Sequence, residues 1–333
     1  MPGNLMNTNP PKIILAGGSG FLGQILARWF SERNFEVIVL TRSSRANRRN
    51  VREVKWDGKT LGGWTTELEN ALAVINLAGR SVNCRYHARN RRVLMQSRLD
   101  PTRILGEAIA QCERPSRVWM NASTATIYKH SFDHAMDEAG EVGATSAAKD
   151  KFSIELAMAW EKAFNEARTP ATRKVLLRMA MVLGPGTNSV FPALRRLARF
   201  GLGGKMASGG QFVSWIHEED FCRAIQWLIE RDDFSGAVNI AAPNPIPNRE
   251  VMRIFRRVCG LRVGLPAPLW MLEVGAFFLR TETELIIKSR RVIPTRLEEA
   301  GFTFHFREME GAVREIESRI EGPSKTSKAD SAN

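Results

Sequence analysis

The sequence predicts an α/β protein: a doubly wound parallel sheet with a smaller, mainly helical C-terminal lobe. Three observations carry that expectation. Short, nearly all-apolar runs alternate with amphipathic stretches through the first half of the chain. Strands without polar alternation imply a parallel sheet covered on both faces, and crossover handedness then favours the doubly wound arrangement. After about residue 188 the alternation stops, and helical segments with proline and glycine punctuation take over.

Taken in order, KIILAG (12–17) is a strand, FLGQILARWFSER (21–33) a helix and FEVIVLTR (35–42) a second strand. An irregular basic segment follows, then the strand ALAVINLAG (71–79). DPTRILGEAIAQC (100–112) is expected to be a helix capped by Asp100, with Pro101 at its first position. SRVWMNAS (116–123) is the next strand. Phe152, Leu156, Trp160 and Phe164 recur four apart, one apolar helix stripe over 150–168. TRKVLLRMAMVLG (172–184) closes the alternation as a strand, and GAVNIAA (236–242) is expected to return to the main sheet. The expected division is a parallel-sheet domain over 11–188, rejoined by 215–242. A substrate lobe covers 189–214 and 243–320, and a small polar tail over 321–333 is expected to be disordered.

At 333 residues, 44% hydrophobic and 25% charged, this is the composition of a globular chain. A formal charge of +13 favours anionic partners without choosing among them. The densest basic run is Arg42, Arg45, Arg48, Arg49, Arg52 and Lys55; it reads either as a solvated face or as part of an anion site. No aromatic interleaving or recognised module supports a nucleic-acid partner. Four scattered cysteines form neither a disulfide framework nor a ligand set, and the five histidines bring no zinc spacing, so no metal is expected. PLWMLEVGAFFLR (268–280) is too short for a span and carries Glu273, so it reads as a buried helix. No membrane partner is expected, the location is taken as cytoplasmic, and the assembly as a monomer or homodimer.

Gly17, Gly20 and Gly23 stand in G-x-x-G-x-x-G spacing between a strand and a helix. Glycine permits the tight turn and removes the Cβ that would block a pyrophosphate. The helix opening at Phe21, Leu22 and Gly23 turns unpaired N–H groups on that anion. At the end of the second strand a carboxylate would accept from the ribose 2′-hydroxyl of NAD. The chain has Thr41, Arg42 and Ser43 instead, suited to a 2′-phosphate, so NADP is favoured and NAD less so. Asp57 reads either as an adenine contact or as an ordinary loop aspartate. Leu77, Ala78 and Gly79, and likewise Asn121 and Ala122, lie at strand ends where the cofactor approaches the backbone.

GGSGFLG, VINLAG, the region of Ser123, LLRMAMVLGPG and QFVSWIHEEDFCRAI follow one another in an order that resembles the extended short-chain dehydrogenase/reductase superfamily. RFGLGGKMASGGQFVSWIHEED and SRRVIPTRLEEAGFTFHF narrow the resemblance to its atypical NAD-dependent epimerase/dehydratase members with a C-terminal DUF1731 domain. The resemblance spans roughly 12–318. It implies a Rossmann domain, a bound dinucleotide, and redox-coupled chemistry at a hydroxyl or carbonyl carbon of a small-molecule substrate. It also puts Ser97 and Arg98 near the cofactor face, and Arg178 resembles a buried basic residue before the substrate-side loop or else bridges backbone carbonyls there.

Typical relatives use a serine with a Tyr-x-x-x-Lys pair: tyrosine moves the proton, lysine lowers its pKa, and serine positions the oxygen. Ser123 matches the serine, with Thr124 one residue displaced. KDKFSIELAMAWEKAF (149–164) aligns Ser153 with the tyrosine and Ala157 with the lysine, and Tyr-x-x-x-Lys occurs nowhere in the chain. Tyr128 is left with three roles: acid/base work, contact with substrate or cofactor, or packing. Arg80 and Asn83, with Arg85, Arg89 and Arg91 close by, read either as a site for an acidic substrate or as a basic surface helix. Trp215, His217 and Asp220 belong to an expected pocket rim, where His217 is either an acid/base or a structural hydrogen bonder. The alternative function is a non-catalytic dinucleotide-binding sensor, favoured by the missing Tyr/Lys pair.

Overall fold

The structure, a computed structural model, describes residues 10–43, 50–279 and 282–322. Arg45, Arg48 and Arg49 of the basic run, and the tail from residue 323, lie outside the described residues. In chain order the elements are β1 (Lys12–Ala16), α1 (Phe21–Ser31), β2 (Glu36–Thr41), β3 (Val51–Lys55), β4 (Ala73–Asn76), α2 (Ala88–Ala110), β5 (Val118–Thr124), α3 (Lys151–Glu166) and β6 (Arg173–Met179). They continue with β7 (Met181–Leu183), α4 (Phe191–Arg199), β8 (Phe212–Val213), β9 (Trp215–His217), α5 (Glu218–Glu230), β10 (Gly236–Ile240) and β11 (Ile246–Pro247). The last are α6 (Asn248–Val258), α7 (Leu269–Leu279), α8 (Glu284–Ile287), α9 (Thr295–Glu299) and α10 (Met309–Glu321).

The main sheet runs β10-β6-β5-β4-β1-β2-β3, and the pairings from β3 through β6 are parallel. The reversal beside β1 is the topological switch of a Rossmann sheet, the place where such sheets hold ligands. The chain forms two compact units. One takes the chain as far as Ile127 with Lys151–Met179 and Cys222–Val238; the other takes Tyr128–Asp150, Ala180–Phe221 and the chain from Asn239. The first is built on Ile14, Ile38, Leu40, Val74, Leu105 and Trp119, all buried. The second packs α4, α6 and α10 through Phe191, Phe255 and Ile316, with Arg195 of α4 bonded to Glu317 of α10 at 2.6 Å.

Three expectations need correction. β3 arises inside the segment read as irregular: Val51 pairs with Val37 and Val54 with Leu40, and Arg52 is neutralised by Glu67 at 2.6 and 2.7 Å. Asp100 caps nothing, because α2 is continuous from Ala88, with His87 as its N-cap and a buried Pro101 in its interior. Packing of α2 against α3 holds the helix together through the proline, as tertiary contacts commonly override a local breaker. The third correction is α7, which was expected to be buried. Leu269, Trp270, Met271 and Val274 are exposed instead.

Candidate active site

At the end of β1 the backbone turns at Gly17 (φ 72°), where a Cβ would lie 2.6 Å from the Ala78 Cα. A Cβ on Gly23 would lie 2.3 Å from the Gly18 Cα, so α1 sits tight against the loop. Gly20 differs: nothing lies within 4 Å of its added Cβ, and no protein group explains its bareness. It is also the N-cap of α1, which has no side-chain cap and no acidic residue in its first turn. Uncapped N–H donors beside open space fit a pyrophosphate. At the end of β2, Thr41 is buried while Arg42 and Ser43 are exposed, and among the described residues Arg42 has no ion-pair partner. Asp57 is occupied locally: its carboxylate accepts the N–H of Lys59 (2.8 Å) and Thr60 (3.0 Å) and the Thr60 hydroxyl (2.8 Å). The Thr60 N–H leads those bonds in holding its pKa below the ordinary aspartate value.

Beneath the strand ends runs a buried network that the sequence did not suggest. Asn76 donates to Asn121 (2.7 Å) and Thr102 (3.1 Å) and accepts the N–H of Ala78 (3.0 Å). Trp160 of α3 donates to Thr102 (3.0 Å). Asn121, expected at the cofactor, is fully buried here and donates to the Ala122 carbonyl at 2.8 Å. Ser97 is likewise engaged, donating to Leu94 O (2.9 Å) and accepting the Arg80 N–H (3.1 Å). Its neighbour Arg98 donates to the carbonyls of Arg80 (3.0 Å) and Leu94 (3.2 Å) and lies 5.1 Å from the Trp160 ring. The guanidinium backs Gly79, whose added Cβ would meet it at 3.3 Å. No carboxylate faces Arg98 among the described residues, and desolvation lowers its pKa to about 10, so it keeps its charge at neutral pH.

The serine of β5 already has a protein partner. Ser123 is buried and donates to Glu161 at 2.6 Å, and Arg178 grips the same carboxylate through two bonds of 2.9 Å. Strand register sets Ser123 opposite Arg178, and α3 carries Glu161 over both. Thr124, the last residue of β5 and on the opposite face from Ser123, is partly exposed. Its Oγ accepts the Thr126 N–H at 3.1 Å, which leaves its hydroxyl proton uncommitted among the described residues. At the helix positions aligned with Tyr and Lys, Ser153 and Ala157 are both buried. Phe152 beside them packs edge-on to Tyr86 with centroids 4.9 Å apart.

Tyr128, Trp215, His217 and Asp220 lie in the second unit, each hydrogen-bonded within the chain. The buried phenol of Tyr128 donates to Asn239 at 2.7 Å, and Asn239 donates to Ile293 O at 2.9 Å. Trp215 donates to Asn244 O at 3.0 Å. His217 accepts the Glu219 N–H on Nδ1 (3.1 Å), which puts its proton on Nε2, 2.9 Å from Glu315. Burial lowers its pKa despite the pull of Glu315. Asp220 accepts the N–H groups of His305 (2.9 Å) and Phe306 (2.8 Å). No three potential metal ligands cluster among the described residues.

Sheet order, glycine turn and uncapped helix define the class: an NAD(P)-binding Rossmann protein with the fold of an epimerase/dehydratase-like oxidoreductase. Its sequence matches the NAD dependent epimerase/dehydratase family over residues 13–241, and the chain belongs to that family. Residues 267–316 match the domain of unknown function DUF1731, as in atypical extended short-chain dehydrogenases. The chain is 31% identical over 313 residues to the epimerase family protein SDR39U1 of Bos taurus, spanning 92% of this chain and 99% of that one. It is similar to the crystal structure of human SDR39U1 with NADPH, at TM-score 0.80 and 27% identity over 92% of this chain and 98% of that one. A nucleoside-diphosphate sugar epimerase from Corynebacterium glutamicum matches at TM-score 0.72 and 26% identity, over 92% of this chain and 58% of that one.

Proposed function

We propose that the protein binds NADP(H) and transfers hydride to or from a hydroxyl or carbonyl carbon of a small anionic substrate. The observation carrying the reading is the bare glycine edge ending at Arg42, with no carboxylate at the end of β2. The similar human protein, crystallised with NADPH, supports the same cofactor. When bound, the cofactor supplies or accepts the hydride. The chain's own groups bind it through the α1 N-terminus and Arg42, and Arg98 and Arg80 offer positive charge to an anionic group. Thr124, with an uncommitted hydroxyl proton, is the better candidate than Ser123 for holding the substrate oxygen, because Ser123 already donates to Glu161. Tyr128 is the weaker candidate for proton carrier, because its phenol is buried and donates to Asn239. A water or the substrate itself then carries the proton.

NADPH and NADH titrations test the cofactor. The expected preference for NADPH falls about tenfold or more in Arg42→Ala, the worth of a charged hydrogen bond. Equal affinity for both cofactors, unchanged by the substitution, rejects it. For the chemistry, NADPH oxidation is followed against a carbonyl panel: Thr124→Ala is expected to abolish turnover with NADPH affinity retained. The buried Ser153 and Ala157 at the Tyr/Lys positions favour a second reading, a dinucleotide-binding sensor. NADPH binding with no turnover on any carbonyl selects it.

A further inference from the structure

Most of the exposed large apolar residues of the second unit come from two segments; Phe132, Val142 and Ile320 lie elsewhere in the chain. Phe200 (74% exposed) and Leu202 come from the loop after α4, Val263 (77%) and Leu265 from the segment leading into α7, and Trp270 (66%) and Val274 from the first turns of α7. The two segments are knitted together: Leu265 donates to Gly201 O (2.7 Å), Gly204 to Leu265 O (3.1 Å) and Ala207 to Ala267 O (2.9 Å). Gly204 has no room for a Cβ, which would lie 2.4 Å from the Leu265 carbonyl carbon. The backbones carrying Leu202 and Leu265 are therefore held side by side, and Trp270 follows three residues after the Met206–Ala267 bridge. Scattered exposed leucines need no explanation, but a concentration of this kind marks an interaction site.

The charge around it says what it meets. Arg196 stands one helical turn before Phe200, and Arg262 adjoins Val263. Lys205 and Arg249 both lie within about a methyl contact of the Gly209 position, at 2.8 and 3.2 Å from its added Cβ. All four are exposed, and none has an ion-pair partner among the described residues. The nearby carboxylates are engaged elsewhere: Glu250 by Arg253 (2.9 Å) and Glu273 by Lys149 (3.2 Å). A second copy docking here would bring one uncompensated cationic rim against another. An anionic bilayer surface meets both halves of the pattern, taking Trp, Phe and Leu into the headgroup–acyl boundary and pairing phosphates with the cations. Among the described residues no helix is long and apolar enough to cross a membrane, so the contact is with one leaflet.

We propose that this face of the second unit, centred on Leu265 and Trp270, docks the protein peripherally on membranes rich in anionic phospholipid. The proposal goes beyond the sequence expectation of no membrane partner, which rested on the lack of a span. It stands independently of the cofactor reading.

Co-sedimentation of the full chain tests it with vesicles of phosphatidylcholine alone and of phosphatidylcholine mixed with phosphatidylglycerol. The mixed vesicles are expected to bind at least tenfold (roughly two cations' worth) more tightly, and to release the protein at ~0.5 M salt. Leu265→Ser with Trp270→Ser is expected to weaken binding about tenfold or more. Arg196→Gln with Arg262→Gln should weaken it about fivefold per charge, on mixed vesicles only. All four positions are exposed, and unchanged urea midpoints and NADPH affinity show that the variants fold. No binding, equal binding to both vesicles, or indifference to both variant pairs overturns the proposal. If sedimentation equilibrium then finds a dimer that Trp270→Ser dissociates, a second copy covers the face instead.

Discussion

At the carboxyl end of β1 the chain leaves its backbone bare, whereas on the inner side of β5 Ser123 is already engaged. Gly20 faces open space and α1 has no cap, while Ser123, Glu161 and Arg178 close a buried circuit of bonds between 2.6 and 2.9 Å. Both regions carry residues that resemble functional positions of the family. The difference lies in what remains available: uncapped donors at the first, and at the second a carboxylate already bonded to Ser123 and Arg178. A polar side chain near a strand end is thus a ligand group only if the fold has not already used it.

Breaking the closed circuit should have the largest effect. Glu161→Ala leaves the Arg178 guanidinium buried without its carboxylate, and is expected to cost about 3–5 kcal/mol of stability by urea denaturation. A loss below about 1 kcal/mol would mean that water reaches Arg178 and the circuit is not closed. The glycine edge should divide in two. Gly17→Ala meets both a positive φ and the Ala78 backbone, so it should destabilise by more than about 2 kcal/mol and lose dinucleotide binding with the fold. Gly20→Ala has room, so stability should move by no more than about 1 kcal/mol while NADPH affinity falls at least tenfold. Parallel losses in both variants would show that Gly20 is structural as well.

Arg98 sharpens the comparison from the available side. Its positive charge lacks a facing carboxylate, so Arg98→Met should leave the free protein's stability within about 1 kcal/mol. Anionic ligand affinity should nevertheless drop about tenfold, with NADPH and an acidic substrate analogue measured separately. A variant that unfolds while binding normally when folded would assign Arg98 to the helix instead.

Much of this was legible in the sequence, and the rest failed for physical reasons. All-apolar strands and the glycine spacing gave the sheet and the cofactor edge because each is a local signal. β3 escaped because an edge strand with one side satisfied by Glu67 and Glu36 can carry Arg52 among only two valines. The choice between Ser123 and Thr124 hangs on which face of β5 each residue takes, and a one-residue shift reverses it. That Glu161 would occupy Ser123 is a contact across 38 positions that no local pattern announces. α7 looked like core because its run is apolar, yet burial depends on a partner and not on composition alone.

The smallest expected effect asks whether the engaged groups of the second unit behave like those of β5. His217 is buried with Phe306 stacked 3.9 Å away, and Glu315, Glu218 and Arg319 are its charged neighbours. Burial outweighs the two carboxylates and lowers its pKa in the folded chain. Below the unfolded value of about 6.5, the unfolded chain therefore binds the proton more readily than the folded one. Stability falls as pH drops from about 6.5 toward the depressed folded value, with a slope of at most about 1.4 kcal/mol per pH unit from this group. His130, lowered by burial and by Lys288, contributes in the same direction, so removing His217 should flatten the slope without abolishing it. Urea midpoints of His217→Gln and the parent at about pH 7.5 and about pH 5.5 read the difference directly. A parent whose stability holds level across that interval would mean that Glu315, not burial, governs His217, with the imidazole charged in the folded state.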